Sequence, residues 1–400
     1  MNLIKNKRKI NLCDVYTFLW MLYNFHLYDS IEGIPSIITS IPLGINLPIS
    51  IYYFFFVNRL KYLPPYLKGL NLLVLMFTIY GLLLIASGDI HRITFHNSNI
   101  IVSNPSYIVG ILRSLLPIYA YYAFTVTGRM GIKRFKIWIF IFFIQSILVY
   151  FLTASRLAFV TGESEFTNNA SYLLLSLIPL LFLFESKKIQ YILLFILMAL
   201  IVSSMKRGAM FVSGVLSILF LYETFRSSTK KQKFRTLLFI CICLLVSIKY
   251  LAEFYSENEY FQGRINQTME GNVSGRDVIA NDILTYFFYE ASILQVVIGS
   301  GANATLDVTN NYAHNDWLEI LINHGLLGLF IYLIYWILFY YNFIKIQNDK
   351  TYKIVFGLIV CHYFLISFFS MSYVRVSTFS AMALGYILYY AKFKKNTIKT

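Results

Sequence analysis

A chain of 400 residues would ordinarily make two or three soluble domains. The composition excludes that: 58% of residues are hydrophobic, 18% aromatic and only 13% charged, where a soluble domain carries roughly 25% charged residues. The formal charge of +15 suggests nucleic acid at first sight, but the basic residues follow a membrane topology instead.

Apolar runs of about 16–25 residues predict about twelve spans. They cover 11–28, 34–57, 69–87, 105–127, 135–153, 169–184, 189–204, 208–222, 236–252, 317–342, 354–373 and 376–391. Spans of that length are helices, which satisfy their own backbone hydrogen bonds in lipid. A transmembrane barrel would alternate in segments of roughly ten residues. Lys5, Lys7, Arg8 and Lys9 before the first span place the N-terminus inside. The loops then alternate: 25 of the 34 Lys and Arg fall in inner segments, and both termini are cytoplasmic. The expected fold is an all-α polytopic membrane protein, one transmembrane domain over 1–400 with a large extracytoplasmic loop over 253–316. The basic excess is a topology signal and a partner for anionic membrane lipids, so nucleic acid is not required. The first run carries Asp14 and His26, lacks a small-residue cleavage site and leads into another span, so it is read as retained.

Cys13, Cys241, Cys243 and Cys361 lie in spans or near the inner face, so no disulfide framework is expected. Cys241 and Cys243 stand about 200° apart on a helix, which argues against a shared metal.

Nine basic residues oppose the inner bias: Arg92, Arg113, Arg156, Lys206, Arg207, Lys249, Arg264, Arg276 and Arg375. At membrane depth each costs roughly 2.5–3.5 kcal/mol on insertion scales. Snorkelling of a long side chain to the headgroups explains many such residues. One kept against the cost is a functional candidate.

Lys206-Arg207 lies in a short break, Ser203–Met210, between two apolar runs. Small residues let the flanking helix ends approach closely. Arg offers a planar fork for phosphate oxygens, and Gly208 opens the next helix, whose first N–H groups favour an anion. The pair either ends a hairpin or holds a phosphate at the outer leaflet.

The stretch 253–316 is too long for a plain connector. It contains Glu253, Glu257 and Glu259, then Gly275-Arg276-Asp277 and a helical texture over Asp277–Glu290. Gly299-Ser300-Gly301 is read as a turn, since no βαβ unit surrounds it. The loop ends in His314-Asn315-Asp316-Trp317-Leu318-Glu319. Asn315 or Asp316 can cap the next helix, and Trp317 suits an interface. His314 is either a surface residue near the cap or a general base, since imidazole titrates near neutrality. His362 lies mid-span and reads as a core residue.

Lys206-Arg207-Gly208 after an apolar helix, with His314-Asn315-x-x-Leu318-Glu319 and Gly325-Leu326-Leu327-Gly328-Leu329, resembles the O-antigen polymerase and O-antigen ligase superfamily. These are integral membrane glycosyltransferases of the C-type class. The resemblance is clearest over about 195–335, and about twelve helices with a late outer loop match the family layout. It implies a bacterial cytoplasmic-membrane enzyme that takes a glycan from a polyprenyl pyrophosphate carrier at the outer leaflet, with no metal, no cofactor and no nucleotide sugar. It further implies that Arg207 and Arg276, with Lys206, bind the pyrophosphate, and that His314 activates the acceptor hydroxyl or stabilises the leaving group. Arg113, Arg156 and Arg375 are further candidates for anion contacts. The expected function is a polymerase joining carrier-linked repeat units for O-antigen, capsule or exopolysaccharide, with a chain-length regulator and a flippase as partners. A ligase acting on a lipid-A core is the near alternative. A lipid-linked oligosaccharide flippase is the alternative from another class, although no repeat of the first half is seen in the second. A cell-wall glycan polymerase would instead recruit Asp277 or Asp282.

Overall fold

The computed structural model describes residues 11–27, 36–95, 98–161, 167–234, 275–346, 349–373 and 376–393, with scattered positions between 237 and 266. The chain is mostly helical. Its first helices are α1 (Leu12–Leu27), α2 (Ser36–Asn58) and α3 (Pro65–Ser87). Pro65 opens α3 because the first helical N–H needs no intrahelical partner. Then come α4 (Asn104–Leu115), α5 (Pro117–Val126), α6 (Ile132–Thr161), α7 (Ser171–Leu175), a 3-10 turn (Ile178–Leu183), α8 (Lys187–Ser203) and α9 (Arg207–Arg226). Beyond the sparsely described stretch 235–274 follow α10 (Arg276–Thr285), α11 (Ile293–Ile298), α12 (Thr305–Thr309), α13 (Asp316–Lys345), α14 (Lys350–Ile366) and α15 (Thr378–Phe393).

Among the described residues, six helical stretches are long and apolar enough to cross a membrane: Ser40–Asn58, Pro65–Ser87, Asn104–Val126, Ile132–Arg156, Arg207–Arg226 and Asp316–Lys345. Eleven of the twelve expected runs fall on helices. The run 236–252 falls largely outside the described residues. α1, α8, α14 and α15 are apolar but only 16 or 17 residues long.

Four expected spans are not continuous helices, among them 354–373, which leaves its helix at Ile366. The run 105–127 divides between α4 and α5 at Pro117, whose ring and missing N–H interrupt the ladder. The run 169–184 becomes a short α-helix and a 3-10 turn. The run 317–342 is broken at Gly325, where φ is +63°. An element the apolar runs did not announce is the antiparallel hairpin of β1 (His91–Phe95) and β2 (Ser98–Val102), in register His91 to Val102.

The core is shared among the helices. α13 packs along α3, α15 along α5, and α14 against α9 and the 3-10 turn. Aromatic side chains fill much of it; Phe135 and Tyr386 stack with ring centres 4.1 Å apart. At the α5–α15 contact, a Cβ on Gly385 would lie 2.7 Å from Tyr122 N. On the charged rim, Lys136 Nζ donates to Glu185 Oε1 at 2.6 Å. That bond, with the attraction between the charges, holds the exposed Glu185 carboxyl below its usual range.

Gly385→Ala should therefore force α5 and α15 apart. Overpacking costs about 1–3 kcal/mol, so the thermal unfolding midpoint in detergent should fall. Gly44→Ala, where nothing lies within 4 Å of an added Cβ, should leave the midpoint unchanged or raise it.

Candidate functional site

α14 ends at Ile366, and the chain turns through Ser367–Ser372 before α15. Phe368, Phe369 and Ser370 N–H groups bond back to Leu365 and Ile366 carbonyls and tighten this turn. Three separate parts of the chain are fastened to it, and a cavity opens beside it as its fourth neighbour.

The first is the start of α13. Asn315 caps the helix, its Oδ1 accepting from Trp317 N at 2.9 Å and Leu318 N at 3.3 Å. Asp316 N donates to Ser367 O at 2.8 Å. The Asp316 side chain is fully buried. Its Oδ1 accepts from Ser372 N at 2.7 Å, and its Oδ2 from Ser372 Oγ and from Tyr332 OH, the latter at 2.8 Å. Trp317 Nε1 donates to Ser367 Oγ at 3.0 Å while its ring stacks on Phe368. Trp317 is thus a pin inside the structure more than an interfacial anchor.

The second is Arg276, half-buried at the start of α10, whose Nη1 donates to Phe369 O at 3.2 Å. The third is the Lys206-Arg207-Gly208 break. A Cβ on Gly208 would stand 3.1 Å from Phe369 Cβ and 3.0 Å from Tyr172 OH, so a larger residue here would press on both side chains. The break is also held from α6 and α7: Asn168 N donates to Ser204 O at 3.0 Å, and Tyr150 OH pairs with Ser203 Oγ at 2.8 Å. Lys206 and Arg207 are both half-buried.

The fourth is a cavity of about 370 Å³ lined by Ser370, Ser372, Tyr172, His362 and Arg113. Arg113 Nη1 donates to Tyr23 OH at 2.6 Å. Arg156 is exposed on α6 and does not line this cavity. Arg375 lies outside the described residues.

His314 precedes the cap and is half-buried in a left-handed conformation, φ +52°. Such a φ is uncommon for residues other than glycine, although asparagine, aspartate and histidine adopt it more readily than the rest. Its neighbours impose it. Ala313 N donates to Glu319 Oε2 at 2.8 Å, and Glu319 Oε1 accepts from Asn323 Nδ2 at 3.2 Å. Asn323 Oδ1 in turn accepts from Thr305 N and Oγ1, both at 3.0 Å. Buried Glu319 therefore fixes the backbone on one side of His314 and the Asn315 cap fixes it on the other.

The break at Gly325 ties the Gly299–Gly301 turn to α13. Ser300 N donates to Ile322 O and Gly301 N to Asn323 O, at 2.9 and 3.1 Å. A Cβ on Gly299 would fall 2.4 Å from Asn323 O, and one on Gly325 2.4 Å from Gly299 N. The Gly299–Gly301 turn exists to let two backbones touch. His324, beside the break, is fully buried with Nε2 3.2 Å from Tyr107 OH. His91 of the hairpin meets Asp307 of α12 at 3.0 Å.

The structure thus gathers Lys206-Arg207, Arg276 and the segment of His314 about one turn. Sequence reasoning missed Asp316 beyond its capping role, and it missed Glu319, Ser372 and the turn itself. The dense polar cluster at 314–319 was the available signal. Chemically, two guanidiniums and an ammonium suit an anion, and an imidazole on a backbone held on both sides suits proton transfer. No family model matches the chain, and no curated protein matches it significantly.

Asp316→Ala should strand the Ser372 and Tyr332 donors. Each buried donor left unpaired costs about 1–3 kcal/mol. The thermal midpoint in detergent should drop well below that of the exposed-site variant Asp282→Ala. An unchanged midpoint would mean that the carboxylate does not hold the turn.

Proposed function

We propose that the protein is a membrane polymerase of polyprenyl-pyrophosphate-linked oligosaccharide units, acting at the outer face of a bacterial cytoplasmic membrane. The observation that carries this reading is the approach to the 366–372 turn of Gly208, next to Arg207, of Arg276, and of the segment that follows His314. These residues come from three distant stretches of sequence. The proposal includes twelve crossings with both termini cytoplasmic, supported by the alternation of Lys and Arg along the loops.

In this reaction the acceptor-sugar hydroxyl attacks the anomeric carbon of the donor glycan. The new C–O glycosidic bond forms as the bond from that carbon to the pyrophosphate oxygen breaks. His314 takes the hydroxyl proton. The leaving polyprenyl pyrophosphate carries away the electron pair and the growing negative charge. Arg207 and Arg276, with Lys206, meet that charge with positioned donors, which is usually the largest catalytic contribution. The rigid backbone about His314 matters because misplacement by about 1 Å can cost 10²-fold.

His314→Ala should insert and fold yet accumulate single repeat units on the carrier, because a general base contributes about 10²–10⁴-fold. The measurement is the surface-glycan ladder on a gel, with protein level checked in the same membranes; a full ladder at equal expression removes His314 from the mechanism. Arg207→Lys should fail nearly as badly as Arg207→Ala, since an ammonium cannot replace the fork.

Topology is tested separately in a variant with its cysteines replaced. An impermeant thiol reagent added outside should label Tyr289→Cys, on a strongly exposed site of the large loop, but not Lys230→Cys. The reverse pattern inverts the orientation and rules out an outer-face site.

A further inference from the structure

We propose that the cavity beside the 366–372 turn binds an acidic sugar ring, so that the glycan handled by this protein carries a carboxylate-bearing residue. The inference rests on the glycan-transferase reading for what brings a sugar there, and on the cavity itself for which sugar.

Its volume, about 370 Å³, falls at the lower end of the roughly 300–1,000 Å³ typical of small-molecule sites. Its walls combine the rings of Trp20, Tyr23 and Tyr172 with the amides of Asn24 and Asn169 and several hydroxyls, Thr378 among them. Aromatic faces and hydroxyl-directed donors and acceptors are what a pyranose needs. A lipid tail would need neither.

Two observations narrow the ligand. His362 is 2% exposed, and both of its ring nitrogens lack a hydrogen-bond partner. Leaving such groups unpaired in the interior is expensive. A neutral imidazole offers one donor and one acceptor, and a sugar hydroxyl answers either. The second is charge. Arg113 is the one charged side chain among the described residues lining the cavity, and no carboxylate faces it there. Its guanidinium is held in place by the 2.6 Å bond to Tyr23 OH and lies 6.0 Å from the centre of that ring. One donor is used on Tyr23, and the rest of the fork fits a planar carboxylate. A pyrophosphate is the poorer match, since one cation would face at least two negative charges.

The cavity is also placed to serve the reaction. Tyr172 lines it and touches Gly208 beside Arg207, while Ser370 and Ser372 of the same turn form its wall. Exposed Asn169 lies at its rim. A glycan whose pyrophosphate end sits at Arg207 could therefore set a sugar ring between Trp20 and His362.

The test uses the purified full-length protein in detergent and needs no turnover. Tryptophan fluorescence is titrated with glucuronate, glucose and inorganic phosphate, with Trp20→Phe assigning the signal to the cavity. Glucuronate should saturate at least tenfold below glucose, and phosphate should give no comparable response. Arg113→Gln should reduce glucuronate to the level of glucose, and His362→Phe should weaken both. Asn169→Trp, which closes the rim without touching the core, should abolish the response and serves if the core variants do not fold. Equal affinity for glucuronate and glucose overturns the acidic-sugar assignment. A phosphate response matching that of glucuronate makes this a simple anion site, and no saturable response to either sugar in the wild type overturns the cavity. If His314→Ala abolishes polymer but the wild type ignores glucuronate, the cavity assignment fails alone. If glucuronate binds while His314→Ala makes full polymer, the transferase reading fails and the cavity stands.

Discussion

A buried carboxylate in a helical membrane protein has to be fully occupied, and Asp316 is. Asp316 is closed to solvent, and an unpaired charge at such a place would be very costly. Its two oxygens take the backbone N–H and hydroxyl of Ser372 and the hydroxyl of Tyr332, while its own N–H goes to Ser367 O. The start of α13 and the end of α14 are thereby joined at both ends of one six-residue turn. The positions of Arg276, Gly208 and the wall of the cavity all follow from that turn, because each contacts Phe369, Ser370 or Ser372. Loosening Asp316 would not remove any proposed ligand to the substrate. It would remove their common reference.

A second constraint acts through backbone carbonyls. The break at Gly325 frees the carbonyls of Ile322 and Asn323 from the helix ladder, and the N–H groups of Ser300 and Gly301 take them. A non-helical backbone inside an apolar stretch is tolerated only where protein or enclosed water satisfies it. The Gly299–Gly301 turn does that here, so this turn packs as part of the helical body. The segment 316–324 carries Asp316, Glu319, Asn323 and His324, all buried. The apolar residues that could meet lipid follow the break, with Leu326, Leu327 and Phe330 exposed.

The helices were legible because apolar run length is a property of composition along the chain. The run 208–222 anticipates Arg207–Arg226, and 189–204 anticipates Lys187–Ser203, to within a few residues. The breaks were not legible. Hydropathy counts side chains and does not see where a carbonyl turns away to another segment, as at Asn323. The hairpin escaped for a related reason, since two five-residue strands are too short to stand out from a polar loop. Among the candidate residues, Lys206, Arg207 and Arg276 were found because they oppose the charge bias, and His314 because polar residues crowd around it. The turn that gathers them reads as the end of a span, Ser-Phe-Phe-Ser-Met-Ser, and its decisive atoms are the carbonyls of Ser367 and Phe369 and the N–H of Ser372. No side-chain motif records backbone atoms.

His362 shows the same limit from the other side. In the sequence it is a histidine in the middle of an apolar run, and the reading of it as a buried residue is correct. His324, equally deep in the core, has Tyr107 for its Nε2 and lacks a partner only at Nδ1. His362 has none for either nitrogen, and it faces a space that also holds a fixed guanidinium. Burial and satisfaction are separate properties, and only the second distinguishes packing from recognition. Where a fold that satisfies Asp316 with three donors leaves an equally buried imidazole with none, the difference argues that the imidazole's partners arrive with a ligand.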